Sequence, residues 1–99
     1  MADEKRLLTF SEVEAFSSNH SSWTINDNVM TKEFKFNTYM EGILFVNRLA
    51  EYAESLDHHP DLEVGWCKVV VNYTTHDLGG LSTFDTHMAI LTDKAFNSN

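Results

Sequence analysis

Cysteine, proline, glycine and cations are all scarce in this chain. A single cysteine, Cys67, has no partner for an internal disulfide and cannot build a cysteine-rich zinc site, so a reducing compartment suits the protein without being required. Seven Lys and Arg stand against fifteen Asp and Glu, a formal charge of −8 at pH 7. Affinity for a phosphate backbone is largely counterion release by cations, so direct binding to nucleic acid is disfavoured. No apolar run approaches the roughly 18 residues that span a bilayer. The amino terminus, Met1-Ala2-Asp3-Glu4-Lys5-Arg6, opens with mixed charge instead of a basic region followed by an apolar stretch, so neither a membrane span nor an export signal is expected. Cytoplasm, or cytoplasm and nucleus, is the expected location. With four glycines and one proline there is no Gly/Ser linker, and no repeat or low-complexity tract is visible. Only Asn97-Ser98-Asn99 reads as a frayed end.

What the chain does have is a core. Its 99 residues are 42% hydrophobic, with seven Phe, three Tyr and two Trp, which places it among globular proteins. Two cores would each be too small to offset chain entropy, so residues 1–99 are read as one domain. A core of this size is only modestly stable alone, which makes association with further copies reasonable.

Phe10, Val13 and Phe16 recur every three residues, and Ser11 with Glu14 suggests a capping box, so a short helix is predicted from Phe10, ending near Asn19. Trp23-Thr24-Ile25 and Val29 to Phe36, separated by Asn26-Asp27-Asn28, predict two strands and a tight turn. From Thr38 to Leu56 the positions Met40, Ile43, Val46, Leu49, Ala53 and Leu56 follow helical spacing, and Leu44, Phe45 and Tyr52 widen the stripe. Pro60 ends that run and biases His59 toward an extended conformation. Trp66 to Thr75 is rich in β-branched and aromatic residues and predicts a strand, with Trp66 and Val69-Val70-Val71 as sheet core. Gly79 and Gly80 are expected to turn at positive φ. Ser82 is a plausible N-cap for a last helix carrying Phe84, His87, Met88, Leu91 and Phe96. The order helix, strand, strand, helix, strand, helix points to an α+β fold. Three helices are expected on one face of an antiparallel sheet of about four strands, with an edge free to pair with a second copy.

Of the five histidines, His58, His59 and His76 stand at breaks between elements, where side chains can converge on a pocket. Asp57, Asp77 and Asp85 lie beside them in sequence. Imidazole gives and accepts protons near neutral pH, and a carboxylate on its other nitrogen fixes the tautomer, so the grouping is suited to general acid–base work. His20 and His87 lack such neighbours and read as ordinary polar surface. Asp85 also has a purely structural reading, as a first-turn acid favoured by the helix dipole.

Asp57-His58-His59-Pro60, followed by Trp66, Val69, Thr75-His76-Asp77, Gly79-Gly80-Leu81-Ser82 and Asp85, resembles the signature of the pterin-4a-carbinolamine dehydratases. Three separated blocks fall in order at the family's spacing, and the similarity runs from about Trp23 to the last helix. Leu62-Glu63-Val64-Gly65 departs from it, because family members often carry an aromatic residue just after His-His-Pro. The resemblance implies dehydration of a 4a-hydroxy-tetrahydropterin to the quinonoid dihydropterin, in tetrahydrobiopterin recycling after aromatic amino acid hydroxylation. It implies His58, His59, His76 and Asp85 as catalytic residues and Asp57, His58, His59, Pro60, Thr75 and His76 as substrate-binding residues. No metal or redox cofactor is implied, the pterin being the substrate. A homodimer or homotetramer is also implied.

Two other readings compete. Proteins similar to this one serve as dimerization partners of a homeodomain transcription factor, and Phe45, Leu49 and Tyr52 on the long helix would be the surface for such a protein partner. The other makes His58, His59, His76 and a carboxylate a metal site, but adjacent histidines before a proline tend to diverge, and the His-x-x-x-His spacing of helical metal sites is missing.

Overall fold

The structure is a computed structural model that describes residues 4–98. Met1 to Asp3 and Asn99, parts of the expected mixed-charge start and frayed end, lie outside the described residues. Helix α1 spans Phe10–Asn19, strands β1 and β2 span Thr24–Asn26 and Val29–Lys35, and helix α2 spans Tyr39–Leu56. Strands β3 and β4 span Asp61–Gly65 and Lys68–Tyr73, a 3-10 turn covers His76–Leu78, and helix α3 spans Thr83–Asn97. The four strands form one antiparallel sheet in the order β1-β2-β4-β3. The fold is α+β, as the sequence predicts.

The sheet sorts its side chains by alternation. Met30 and Phe34 of β2 face Tyr73 and Val69 of β4 in register, and all four are buried with Val71. On that face lie Phe45 of α2 and Phe96 of α3, with ring centroids 4.9 and 5.1 Å from Phe34. Lys32 shares the face, where its Nζ reaches Asp93 Oδ1 of α3 at 2.7 Å. The same carboxylate accepts the Trp23 indole N–H at 3.1 Å.

Strand β3 is absent from the predicted order. Its segment, Asp61-Leu62-Glu63-Val64-Gly65, carries only two apolar residues and two acids, too weak a β signal by composition. It forms because it lies across β4 in a hairpin whose tip is Trp66-Cys67, with Cys67 at φ +66°. Trp66 is therefore not sheet core but 81% exposed. At the other hairpin Asp27 and Asn28 both take positive φ, 51° and 65°, the geometry of a type I′ turn.

Capping corrects another expectation. Helix α1 is capped by Thr9 and Glu12, not by Ser11 and Glu14, two residues further on. Along α2 the buried line is Gly42, Phe45, Leu49 and Ala53, so Phe45 and Leu49 face the core and are unavailable to a partner. The large exposed apolar residues of that helix are Tyr39, Met40 and Leu44. Helix α3 continues through Asn97, with Ser98 as its C-cap, so that end is helical rather than frayed. Arg48 of α2 donates through Nε to the Ala95 carbonyl at 3.2 Å, a favourable cation at a helix C-terminus.

Candidate active site

The site is organised by a buried carboxylate. Ser82 caps α3, and Asp85, three residues on, returns the bond: Ser82 N–H donates to Asp85 Oδ2 at 2.8 Å. This capping box points Asp85 into the protein, where its relative exposure is 0%. A buried carboxylate needs its lone pairs satisfied. Thr75 Oγ1 donates to Oδ2 at 2.7 Å, and His58 Nε2 lies 2.6 Å from Oδ1. The single Thr75 hydroxyl proton is thus committed to Asp85, so Ser82 Oγ–H donates to Thr75 Oγ1 at 2.7 Å and accepts from Phe84 N–H at 3.2 Å.

Bonded to a carboxylate, His58 carries its proton on Nε2 and keeps Nδ1 free to accept, a tautomer set by Asp85. Its ring stacks on Tyr73 at 6.2 Å and meets the Phe84 ring edge-on at 5.9 Å. Burial pushes the Tyr73 phenol well above its ordinary value, so it stands there as a neutral hydroxyl, donating to Thr92 Oγ1 at 2.8 Å.

The other two histidines are placed differently. Side chains alternate along extended backbone; with His58 turned inward, His59 is exposed, and its Nε2 lies 2.6 Å from Glu54 Oε2 in the last turn of α2. With Thr75 turned inward, His76 is likewise exposed, at the head of the 3-10 turn. Asp85 therefore ties together two chain breaks, one carrying His58-His59 and the other Thr75-His76. Asp57 is exposed and serves as the left-handed C-cap of α2, φ 52°, while Pro60 leads into β3 and is half-buried. Gly79 takes φ +74°, but Gly80 does not. At Gly80 the chain passes close to the amino-terminal segment, where an added Cβ would sit 3.3 Å from Leu7 Cδ2 and the Leu7 side chain would have to yield.

Sequence reasoning missed Glu54, which stands one helical turn before His58 in a run otherwise read for its apolar stripe. It also passed over Lys5, whose Nζ is 3.3 Å from each Asp77 carboxyl oxygen. That ammonium holds the Asp77 carboxyl below the usual carboxylate range. Among the described residues no three His, Cys, Asp or Glu side chains are grouped so as to hold a metal ion.

A cleft of about 550 Å³ lies on the opposite flank of α3, between it and α1, lined by Leu8, Phe16, His20, Thr86, His87 and Ile90 among others. It contains none of His58, His59 or His76. His20 and His87, read as ordinary surface, both border it, with His20 stacked on Phe16 at 4.3 Å. Size alone would favour this cleft as a binding site; what sets His58 and His59 apart is that each is bonded to a carboxylate, the arrangement suited to general acid–base work.

The family model described as "Pterin 4 alpha carbinolamine dehydratase" matches residues 6–95, so the likeness begins before α1 and not at Trp23. A protein of Picosynechococcus sp., provisionally named pterin-4-alpha-carbinolamine dehydratase, is 48% identical over 83% of this chain and 89% of its own length. The crystal structure of a transcriptional coactivator/pterin dehydratase from Brucella melitensis superposes with a TM-score of 0.85 at 30% identity, over 91% of this chain and 98% of that one. A pterin dehydratase-like protein described as a RuBisCO assembly factor in the alpha-carboxysome shares the fold, with a TM-score of 0.65 at 24% identity over 81% of this chain and 95% of its own.

Proposed function

The chain belongs to the pterin 4 alpha carbinolamine dehydratase family, and from that membership we propose that it dehydrates a 4a-hydroxy-tetrahydropterin to the quinonoid dihydropterin. The C4a–O bond breaks, a proton passes to the departing oxygen to release water, and a proton leaves a ring nitrogen. One general acid and one general base suffice, each contributing typically ~10²–10⁴ in rate. His59 and His76 are the exposed imidazoles assigned to these transfers, and His58 with Asp85 holds the two loops that carry them. Thr75 supports the same network, while Asp57 and Pro60 shape the approach to His58 and His59. The observation that carries the reading is the fully buried Asp85 carboxylate bonded at once to His58 and Thr75, each the immediate neighbour of an exposed histidine.

The physiological setting of this reading is tetrahydrobiopterin recycling in the cytoplasm, with the nucleus as a further location. No helix among the described residues is long and apolar enough to cross a membrane. Stopped-flow absorbance of freshly generated 4a-hydroxy-tetrahydropterin, with and without the protein, tests it: dehydration should accelerate in proportion to protein concentration. A rate equal to the spontaneous one would remove the assignment.

A second reading is a protein-binding role, supported by exposed Tyr39, Met40 and Leu44 on α2. A copy of this chain in a homodimer or homotetramer, or a foreign helix, would cover them. Loss of assembly in Met40→Glu and Leu44→Glu, read by sedimentation, with dehydration retained, would separate this surface from the chemistry.

A further inference from the structure

Among the described residues no side chain bonds the exposed His76 ring, so its position depends on the turn beneath it. That turn is flanked by the amino-terminal segment, which runs antiparallel along residues 81–83. Leu8 N–H donates to Leu81 O at 2.9 Å, Thr83 N–H donates to Arg6 O at 3.0 Å, and Thr83 Oγ1 donates to Glu4 O at 2.8 Å. Leu7 and Ser82 form a bridge. In such an extended segment successive side chains face opposite ways. Arg6 and Leu8 turn toward α1, where Arg6 grips Glu12 at 2.8 and 2.7 Å and Leu8 lines the large cleft. Lys5 and Leu7 turn the other way, toward Asp77 and Gly80 of the turn.

On that side Leu7 packs against Gly80. Lys5 Nζ holds both oxygens of Asp77 at 3.3 Å and sits 5.9 Å from the centroid of Phe84, a cation over an aromatic face. Asp77 is the residue after His76, and Phe84 is the ring packed on His58. A single ammonium thus touches the neighbour of the exposed histidine and the wall of the buried one.

We propose that Lys5 is a positioning residue of this site: by joining Asp77 to Phe84 it fixes the 3-10 turn, and with it His76, against the end of α3 that carries Asp85. This rests on the assignment of His76 to the dehydration. Both partners are substantially exposed, with side-chain exposures of 35% and 68%, so the pair adds little to global stability. Its effect falls on alignment, where small displacements of a proton-transfer group lower the rate.

The test compares the full-length protein with Lys5→Ala, Lys5→Arg, Asp77→Ala and the Lys5→Ala/Asp77→Ala double variant. Lys5→Ala should lower kcat for dehydration roughly two- to tenfold, with KM and the unfolding midpoint unchanged. Lys5→Arg should restore kcat, because a guanidinium still bonds both oxygens of a carboxylate. The double variant should be no slower than the slower single one. Full kcat in Lys5→Ala, a rise confined to KM, or an Arg variant as slow as the Ala variant would each overturn the proposal. A readout independent of activity is hydrogen exchange at the Leu78 and Gly79 amides, both bonded to Thr75 O. Exchange should quicken in Lys5→Ala, and unchanged exchange overturns the positioning role even if the protein dehydrates no pterin. A wild-type protein without dehydration would instead remove the assigned reaction.

Discussion

His58 Nε2 lies 2.6 Å from Asp85 Oδ1, and both side chains are shielded from water, at 8% and 0% exposure. Asp85 is at once a helix cap and a bond between two loops, so its removal strands Thr75, His58 and the Ser82 amide together. Asp85→Ala should cost about 3–5 kcal/mol, because it leaves the His58, Thr75 and Ser82 donors buried without an acceptor at roughly 1–3 kcal/mol each. The measurement is the urea midpoint at unchanged m-value; a loss below about 1 kcal/mol, as at an exposed cap, would mean the network contributes little.

The three histidines should separate in their effects. His59→Ala and His76→Ala remove exposed rings, so dehydration should fall about 10²–10⁴-fold while the unfolding curve stays in place. His58→Ala removes the partner of a buried carboxylate and should lower stability and activity together. Stopped-flow rates and chemical denaturation on the same preparations check this, and a His59 or His76 variant with wild-type turnover would exclude that residue from the chemistry.

Thr92 offers a test of the core apart from the site. Its hydroxyl donates to Met88 O at 2.6 Å, which obliges Tyr73 to donate to Thr92 Oγ1. Thr92→Val keeps the shape and leaves the Tyr73 hydroxyl buried without an acceptor, so a loss of about 1–3 kcal/mol is expected. Tyr73→Phe/Thr92→Val should recover part of it in a double-mutant cycle.

Glu12 should make stability depend on pH in acid. The Arg6 guanidinium, then the Thr9 amide of the capping box, hold its carboxyl down at about 2, against about 4.3 in an unfolded chain. A depressed folded value contributes stability that is complete above the unfolded value and is lost as pH falls toward the folded one. Stability measured by unfolding between pH 5 and pH 2 should therefore fall with pH, and Glu12→Gln should flatten that portion of the curve; equal slopes in both proteins would count against the capping box.

Much of this architecture is legible in the residues. Hydrophobic period gives α2 within a residue, the Ser82 cap gives the start of α3, and the polar turn gives the β1–β2 hairpin. What escaped was decided by tertiary context. Strand β3 forms on β4 despite Asp61 and Glu63, and Thr9 outcompetes Ser11 because Arg6 is placed to grip Glu12. Phe45 and Leu49 belong to a broad apolar stripe whose inward side only packing can choose. At the site, sequence brings His58, His76 and Asp85 to attention. It does not show that Asp85 reaches Thr75 as well, nor that Glu54 and Lys5, distant or masked by helical pattern, stand against the histidine loops.

The two indoles sit in opposite surroundings: Trp23 is 2% exposed in the core and Trp66 81% exposed at the β3–β4 tip. The protein therefore carries two optical reporters. Trp23 emission should shift only when the core opens, while an aqueous quencher should reach Trp66 in the folded chain. Quencher access that declines with rising concentration would register a neighbour settling on the hairpin, without any label being attached.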